Sequence, residues 1–291
     1  MAVRISAIIP AYNRARTIGR AIESVLEQKL RSLAGADELF EIIIVDDGST
    51  DDLAGALRRF NGPLRLIRHE RNSGAAAARN TAVAAAEGEF VAFLDSDDIW
   101  LPGKLSRQVS EMLQRGWAAS CTAYLLAKHG SSDFVSPRFV TGALDLQHMV
   151  WGCFVSPGST LVCHRSLFED IGPFDTNFRR LEDWDWLLRL VRSHALGFLA
   201  EPLARIQPSA GGGVDKVIPA VERMWQKHAA ELDPRMRRRF AAALDVERAS
   251  AFYRAGNFSA AAVTLSRSLL RAPLRNGAIA AILHNRLARQ A

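Results

Sequence analysis

Cysteine is scarce. Cys121, Cys153 and Cys163 are the only three in 291 residues, and they form no CxxC pair. An odd number at that spacing argues against a disulfide framework and against cysteine-held zinc, and a reducing compartment is the expectation. Long hydrophobic runs are missing as well. No stretch reaches the roughly 18 apolar residues of a spanning helix. The opening Met1–Asn13 has a short apolar stretch without a small-residue cleavage site behind it, so secretion is not expected. There is no GxGxxG after a strand, no GxxxxGK[ST], no GxSxG and no HExxH. Dinucleotide, P-loop, serine-hydrolase and zincin readings therefore lack their signatures. The seven histidines are scattered, without an HxxxH pair.

What is present is an ordinary globular composition, 48% hydrophobic and 23% charged, which excludes collagen-like, low-complexity and wholly disordered chains. The net charge of +6 is unevenly placed: Lys216–Ala291 holds 14 Lys and Arg against 5 Asp and Glu, leaving Met1–Asp215 mildly acidic. The basic charge belongs to the tail, so nucleic acid is not the expected partner.

The first hundred residues alternate two periods. Ile5–Pro10 and Phe40–Val45 are apolar runs of strand length, followed by Leu64–Arg68 and by Glu89–Leu94. Helical spacing fills Thr17–Gln28, with Thr17 as N-cap, then Asp51–Phe60 and the alanine-rich Ser73–Ala86. Nearly all-apolar strands alternating with helices predict a mostly parallel α/β sheet with both faces covered. Ligands in such sheets bind beyond the carboxyl ends of the strands. Polar clusters follow three of those ends, at Ala11–Asn13, Asp46–Ser49 and Asp95–Asp98, and one crevice is predicted to collect them. Residues 117–207 are less regular, with one clear helix near Glu182–Ser193. Gly211-Gly212-Gly213 reads as a joint, dividing a domain over 1–210 from a basic, all-helical region over 211–291. That region is predicted to hold helices at Lys216–Ala230, Pro234–Ala255, Ser259–Arg271 and Leu274–Ala288, with a helical hairpin turning at Gly256-Asn257.

Asp95, Asp97 and Asp98 crowd three carboxylates into four residues, and left alone they would raise one another's pKa. A hard divalent cation, Mg2+ or Mn2+, removes that cost, and magnesium usually shares such carboxylates with substrate phosphates. An acidic turn that caps the next helix is the equal alternative. Asp46 and Asp47 read as a turn and helix cap, or as acceptors for a nucleobase or ribose. Gly74 near a helix start and Arg79 on that small-residue helix suit phosphate oxygens. In Leu181–Leu190, Glu182 and Asp185 are explained by the helix dipole and by an Asp185–Arg189 pair. Asp183 lies on neither the apolar face nor a pairing position, which makes it the candidate general base.

In order and spacing these segments resemble family 2 inverting glycosyltransferases of the GT-A fold. The resemblance is carried by Ala7–Asn13, Ile44–Ser49, Asn72-x-Gly74 with Ala78-Arg79-Asn80, Gly88–Asp98 and Glu182–Asp185, with Gly172-Pro173-Phe174-Asp175 ahead of the acidic helix. It covers about residues 3–207. It implies a nucleotide-sugar donor, UDP first, held by Pro10, Ala11, Tyr12, Asn13, Asp46, Asp47, Gly74, Arg79 and Ser96. It implies a divalent cation, Mn2+ or Mg2+, on Asp97 and Asp95, and Asp183 as the base that deprotonates the acceptor hydroxyl. Asp98, Trp151, Glu182 and Trp184 are candidate contacts to the sugars, although burial in the core is the more common explanation for such aromatics. Where members often carry a metal-binding histidine stands Gln207, a neutral and weaker ligand.

The expected partners are therefore the nucleotide-sugar and a glycan or lipid-linked acceptor. The expected place is the cytoplasm, including the inner face of the membrane. For the basic tail three readings stand: packing on the domain, dimerisation, or peripheral contact with anionic lipid through the run Arg235–Phe240. A sugar nucleotidyltransferase and a catalytically inactive GT-A-like scaffold are the rival functions.

Overall fold

The computed structural model describes residues 4–28, 40–127, 134–137, 140–208 and 211–272. The chain opens with β1 (Ile5–Ala11), α1 (Ile18–Leu26), β2 (Phe40–Asp46), α2 (Leu53–Leu57), β3 (Leu64–Arg68), α3 (Ala75–Ala85) and β4 (Phe90–Phe93). The four strands pair in parallel in the order β3-β2-β1-β4. Alternation along β1, β2 and β4 splits their side chains between two cores, while β3 is a half-exposed edge. Ile8, Ile43, Val45 and Phe93 pack on one face with Ala78 and Ala82 of α3. Ala7, Ile9, Ile42 and Ile44 pack on the other with Ile18, Ile22 and Val25 of α1. Strands covered on both faces have no polar positions to offer, which is why their sequences read as continuous apolar runs.

Two local expectations change. Thr17 occupies the N-cap position of α1 but its side chain makes no capping bond. The helix expected over Asp51–Phe60 is only Leu53–Leu57, because Asp52 is its cap and accepts the Gly55 N–H at 2.9 Å.

The irregular middle follows as β5 (Ile99–Trp100), α4 (Lys104–Arg115), β6 (Ala119–Leu126), β7 (Phe134–Ser136), β8 (Gly142–Leu144), α5 (Leu146–Met149), α6 (Pro157–Thr160), β9 (Val162–His164), α7 (Leu167–Asp170), α8 (Glu182–Leu190) and β10 (Leu196–Ile206). β9 inserts antiparallel between β4 and β6, β10 runs parallel to β6, and β5 closes the edge, giving one ten-stranded sheet.

The tail forms α9 (Val214–His228), α10 (Pro234–Arg254) and α11 (Phe258–Arg271), the last two as a hairpin through Gly256 at φ +74° and the Asn257 cap. The helix expected over Leu274–Ala288 lies outside the described residues. Val217, Val221, Met224, Phe240 and Leu244 belong to the same core cluster as Trp184 and Leu187, and the Phe240 ring meets Trp184 edge-on at 5.4 Å. The core thus runs without a break across the expected 210/211 boundary. No helix among the described residues is long and apolar enough to cross a membrane.

Candidate active site

A cleft at the end of β4 and the start of α8 is lined by Arg79, Asp95, Asp97, Asp98, Glu182 and Asp183, with Trp151 at its side. Arg79 organises these acids. Its Nη2 donates to Asp95 Oδ1 at 2.8 Å and its Nη1 to Glu182 Oε1 at 2.9 Å. Burial works against the charge of this guanidinium, but Asp95, Glu182 and Asp183 outweigh that and hold it more firmly protonated than usual. The anion expected beside Arg79 is therefore a pair of the protein's own carboxylates, and a phosphate role is not needed to explain its burial. Gly158 of α6 lies directly beneath. A Cβ there would come within 2.5 Å of Asp95 Oδ2 and 2.9 Å of Arg79 Nη2.

Each aspartate of the acidic loop has a different fate. Asp97 reaches the cleft, and Arg14 from the loop after β1 stands 3.4 Å from its Oδ2. Burial and the neighbouring Asp95 charge push its carboxyl above the usual range, against the pull of Arg14. Asp98 braces the fold. One oxygen accepts the Gln207 N–H at 2.7 Å and the other accepts the Ser159 hydroxyl, which ties the end of β10 and α6 to the acidic loop. It also lines the cleft, and each oxygen, with one bond accepted, keeps a second lone pair for a sugar hydroxyl. Ser96 is buried beside these carboxylates.

The second acidic turn is structural to a similar degree. Asp46 is fully buried, and its Oδ1 accepts the Ser49 N–H at 2.8 Å. Asp47 Oδ1 accepts the Ser73 N–H at 2.9 Å and faces His69 Nδ1 at 2.7 Å, while Oδ2 accepts the Gly74 N–H at 2.7 Å. A carboxylate holding two backbone amides orders the 72–74 loop at the start of α3. Between them Gly48, at φ +73°, passes so close to Arg71 that a Cβ would lie 2.6 Å from its carbonyl carbon. Pro10 and Ala11 are the buried end of β1, whereas Tyr12 is exposed. Asn13, at φ +53°, bridges to the next loop by accepting the Thr50 N–H at 2.8 Å and donating its own N–H to Ser49 Oγ at 2.9 Å.

Asp183 sits on the first turn of α8, half-buried in the cleft. Burial first, then Glu182, pushes its carboxyl up to about 6, against Arg79 and Arg180. One of its oxygens accepts the Trp184 N–H at 2.8 Å. Leu181 precedes it at φ +70°, and Ser156 across the cleft has φ +46°. With Asn13 these are the only non-glycine residues of positive φ among the described residues. Such strain concentrates where geometry is over-determined by a site.

Trp184 and Trp186 are fully buried, and the Trp184 Nε1–H donates to the Met149 carbonyl at 2.8 Å. The expected sugar contact by Trp184 is corrected accordingly: its ring belongs to the core. Trp151 does line the cleft. Asp185, two residues past the candidate base, is fully buried. It is held by Arg189 at 3.1 Å, Lys227 at 2.8 Å and His228 at 2.9 Å.

Several site residues carry no signal of their own in the sequence. Arg14 lies just past the Ala7–Asn13 segment, and Arg180 is the second of the Arg179-Arg180 pair ahead of the acidic helix. Ser159 and Gly158 form the floor from a stretch that reads only as a turn. Ala243, Val246 and Glu247 bring α10 into the cleft wall, a contact that only tertiary packing defines.

A metal would meet a limited donor set. Among the described residues no group of three or more His, Cys, Asp and Glu side chains is placed to hold an ion. Asp95 and Asp97 alone suit a hard cation whose remaining positions come from a diphosphate and water, and their mutual repulsion is the cost such a cation removes.

The glycosyl transferase family 2 model matches residues 6–172. WfgD of Escherichia coli, a UDP-Glc:alpha-D-GlcNAc-diphosphoundecaprenol beta-1,3-glucosyltransferase, is 31% identical over 229 residues, 76% of this chain and 83% of that one. ExoU of Rhizobium meliloti, a succinoglycan biosynthesis protein, is 40% identical over 140 residues, 45% of this chain and 38% of its own. Among solved structures, S. aureus TarS 1-349 in complex with UDP-GlcNAc superposes with a TM-score of 0.66 at 21% identity, covering 99% of this chain and 90% of that one. Mannosyltransferase PcManGT from Pyrobaculum calidifontis, in complex with GDP-Man and Mn2+, gives 0.58 at 22%, covering 98% and 80%. These two likenesses are of fold. The chain belongs to glycosyl transferase family 2, with a GT-A fold, and is a glycosyltransferase.

Proposed function

We propose that the protein transfers a sugar, with inversion, from a UDP-sugar to a hydroxyl of a glycan or lipid-linked acceptor, at the cytoplasmic face of a membrane. The carrying observation is that one cleft holds both Asp97 and Asp183, with Arg79 locked between Asp95 and Glu182. The relatives support donor and acceptor class: WfgD is named for UDP-Glc and a diphospholipid-linked sugar, and TarS is complexed with UDP-GlcNAc.

Asp183 takes the acceptor's hydroxyl proton. A carboxyl near 6 is ionised at neutral pH yet basic enough to share the proton as the oxygen attacks. Arg79 keeps Glu182 and Asp95 in place, which fixes the position of the acid next to the base. Asp95 and Asp97 would hold Mn2+ or Mg2+ together with the donor's diphosphate. When bound, the cation neutralises the charge that develops on the departing UDP. Arg14, now beside Asp97, provides a further positive charge at the same end. Inversion would follow from a single in-line displacement, with Asp183 on the face of the sugar opposite the departing UDP.

The test is transfer from UDP-glucose and UDP-N-acetylglucosamine, with Mn2+, to an alkyl diphosphate-linked sugar acceptor, followed by proton NMR of the new anomeric position. A β-linked product from the α-linked donor is expected. An α-linked product would overturn inversion, and undiminished transfer in EDTA would overturn the metal.

A further inference from the structure

A second groove lies against the cleft, and Trp151 is a wall of both. Four arginines line it: Arg235, Arg238 and Arg239 from the first two turns of α10, and Arg271 from the end of α11. Their placement is electrostatically costly. Three guanidinium groups at i, i+3 and i+4 repel one another, and they do so at a helix N-terminus, where the macrodipole already favours negative charge. Two of the four have work in the fold. Arg239 lies over the Trp151 ring at 5.0 Å, and Arg271 pairs with the buried Asp245 at 2.5 Å. Arg235 and Arg238 are exposed and make no ion pair among the described residues. Residues 273–291, which follow Arg271, contain no Asp or Glu to neutralise them. Asp233 caps the helix through the backbone N–H groups of Arg235 and Met236, at 2.8 and 2.9 Å. Arg237 turns away, donating to the carbonyls of Ala229, Ala230 and Leu232.

α10 runs from this groove into the cleft, where Ala243, Val246 and Glu247 form part of the wall. Arg238 and Arg235 lie nine and twelve residues before Glu247, about 14 and 18 Å of helix rise, a span that a sugar ring and a diphosphate cover once the reach of an arginine side chain is added. Guanidinium groups bind phosphate oxygens in bidentate fashion, which suits a diphosphate better than a single carboxylate.

We propose that the Arg235–Arg238 groove holds the diphosphate of the acceptor, while the acceptor's sugar lies past Trp151 within reach of Asp183. The inference rests on the diphosphate-linked acceptor reading above and gives that acceptor a specific place.

The probe is decyl diphosphate, titrated calorimetrically into protein saturated with UDP and Mn2+, so that the donor site is filled. Wild-type protein is expected to bind it and to bind decyl glucoside weakly or not at all. The double variant Arg235→Gln/Arg238→Gln, altered only at exposed positions, should lose at least tenfold in decyl diphosphate affinity with UDP affinity unchanged. Equal affinity in the double variant overturns the proposal. So does binding of phosphatidylglycerol vesicles, but not of decyl diphosphate, that depends on these arginines; the groove would then be a membrane contact. Failure of UDP to bind at all would instead strike the glycosyl-transfer reading, which keeps the two failures apart.

Discussion

Arg79 and Glu182 stand 103 positions apart in the chain and meet with 2.9 Å between Nη1 and Oε1. The same guanidinium holds Asp95, so one side chain on α3 ties the acidic loop after β4 to the helix that carries Asp183. The spacing of the two halves of the cleft depends on that bridge.

Asp183→Asn keeps the shape and hydrogen bonds of the side chain but removes the base. Transfer should fall about 100- to 10,000-fold, while UDP affinity measured by calorimetry stays within error. A variant with wild-type turnover would remove Asp183 from the mechanism.

The raised carboxyl at Asp183, about 6 in the folded protein, sets a pH profile. The ionised base is lost as pH falls, so log kcat/KM should climb with unit slope up to about pH 6 and level off above. Arg180 favours the ionised form. Arg180→Gln should therefore move this limb to higher pH, whatever it does to the plateau. An unmoved limb would mean that another group controls it.

Asp97→Ala should weaken UDP binding about tenfold in the presence of Mn2+, the loss of roughly 1.4 kcal/mol. Without metal, wild type and variant should bind UDP alike. Equal affinities in Mn2+ would show that Asp97 is no ligand.

Lys104 is fully buried, its Nζ 4.2 Å from the centre of the Trp100 ring and without a hydrogen-bond partner among the described residues. Burial pushes its ammonium down to about 7. Between pH 7 and 10.5 the unfolded chain binds a proton that the folded one does not, so this residue makes stability rise with pH across that range. Lys104→Met should raise the melting temperature at pH 6, by about 1–4 kcal/mol of stability, and flatten the pH dependence. A lower melting temperature would show that the ammonium has a role.

The parallel half of the sheet was legible because strands buried on both faces have no choice but to be apolar, and acidic turns interrupt them abruptly. That Asp183 would face away from the core was legible by elimination on a helical wheel, and the structure puts it in the cleft wall; the Asp185–Arg189 pair was legible because both lie on one helix. What escaped was non-local. Nothing near Asp47 reveals that the amides of Ser73 and Gly74 will fill its oxygens, or that Ser159 and Gln207 will claim Asp98. The long tail helices were recognisable by period, but the aromatic contact of Phe240 with Trp184 crosses more than fifty residues, and no window of sequence contains it.

Asp185 points away from the cleft and is clasped by Lys227 and His228 of α9. The turn of helix that carries Asp183 is therefore the same turn on which the C-terminal helices are moored. Hybrids that exchange this tail with a relative's, in order to borrow its acceptor preference, would have to import a matching lysine and histidine. Otherwise a stranded anion would be left under the cleft.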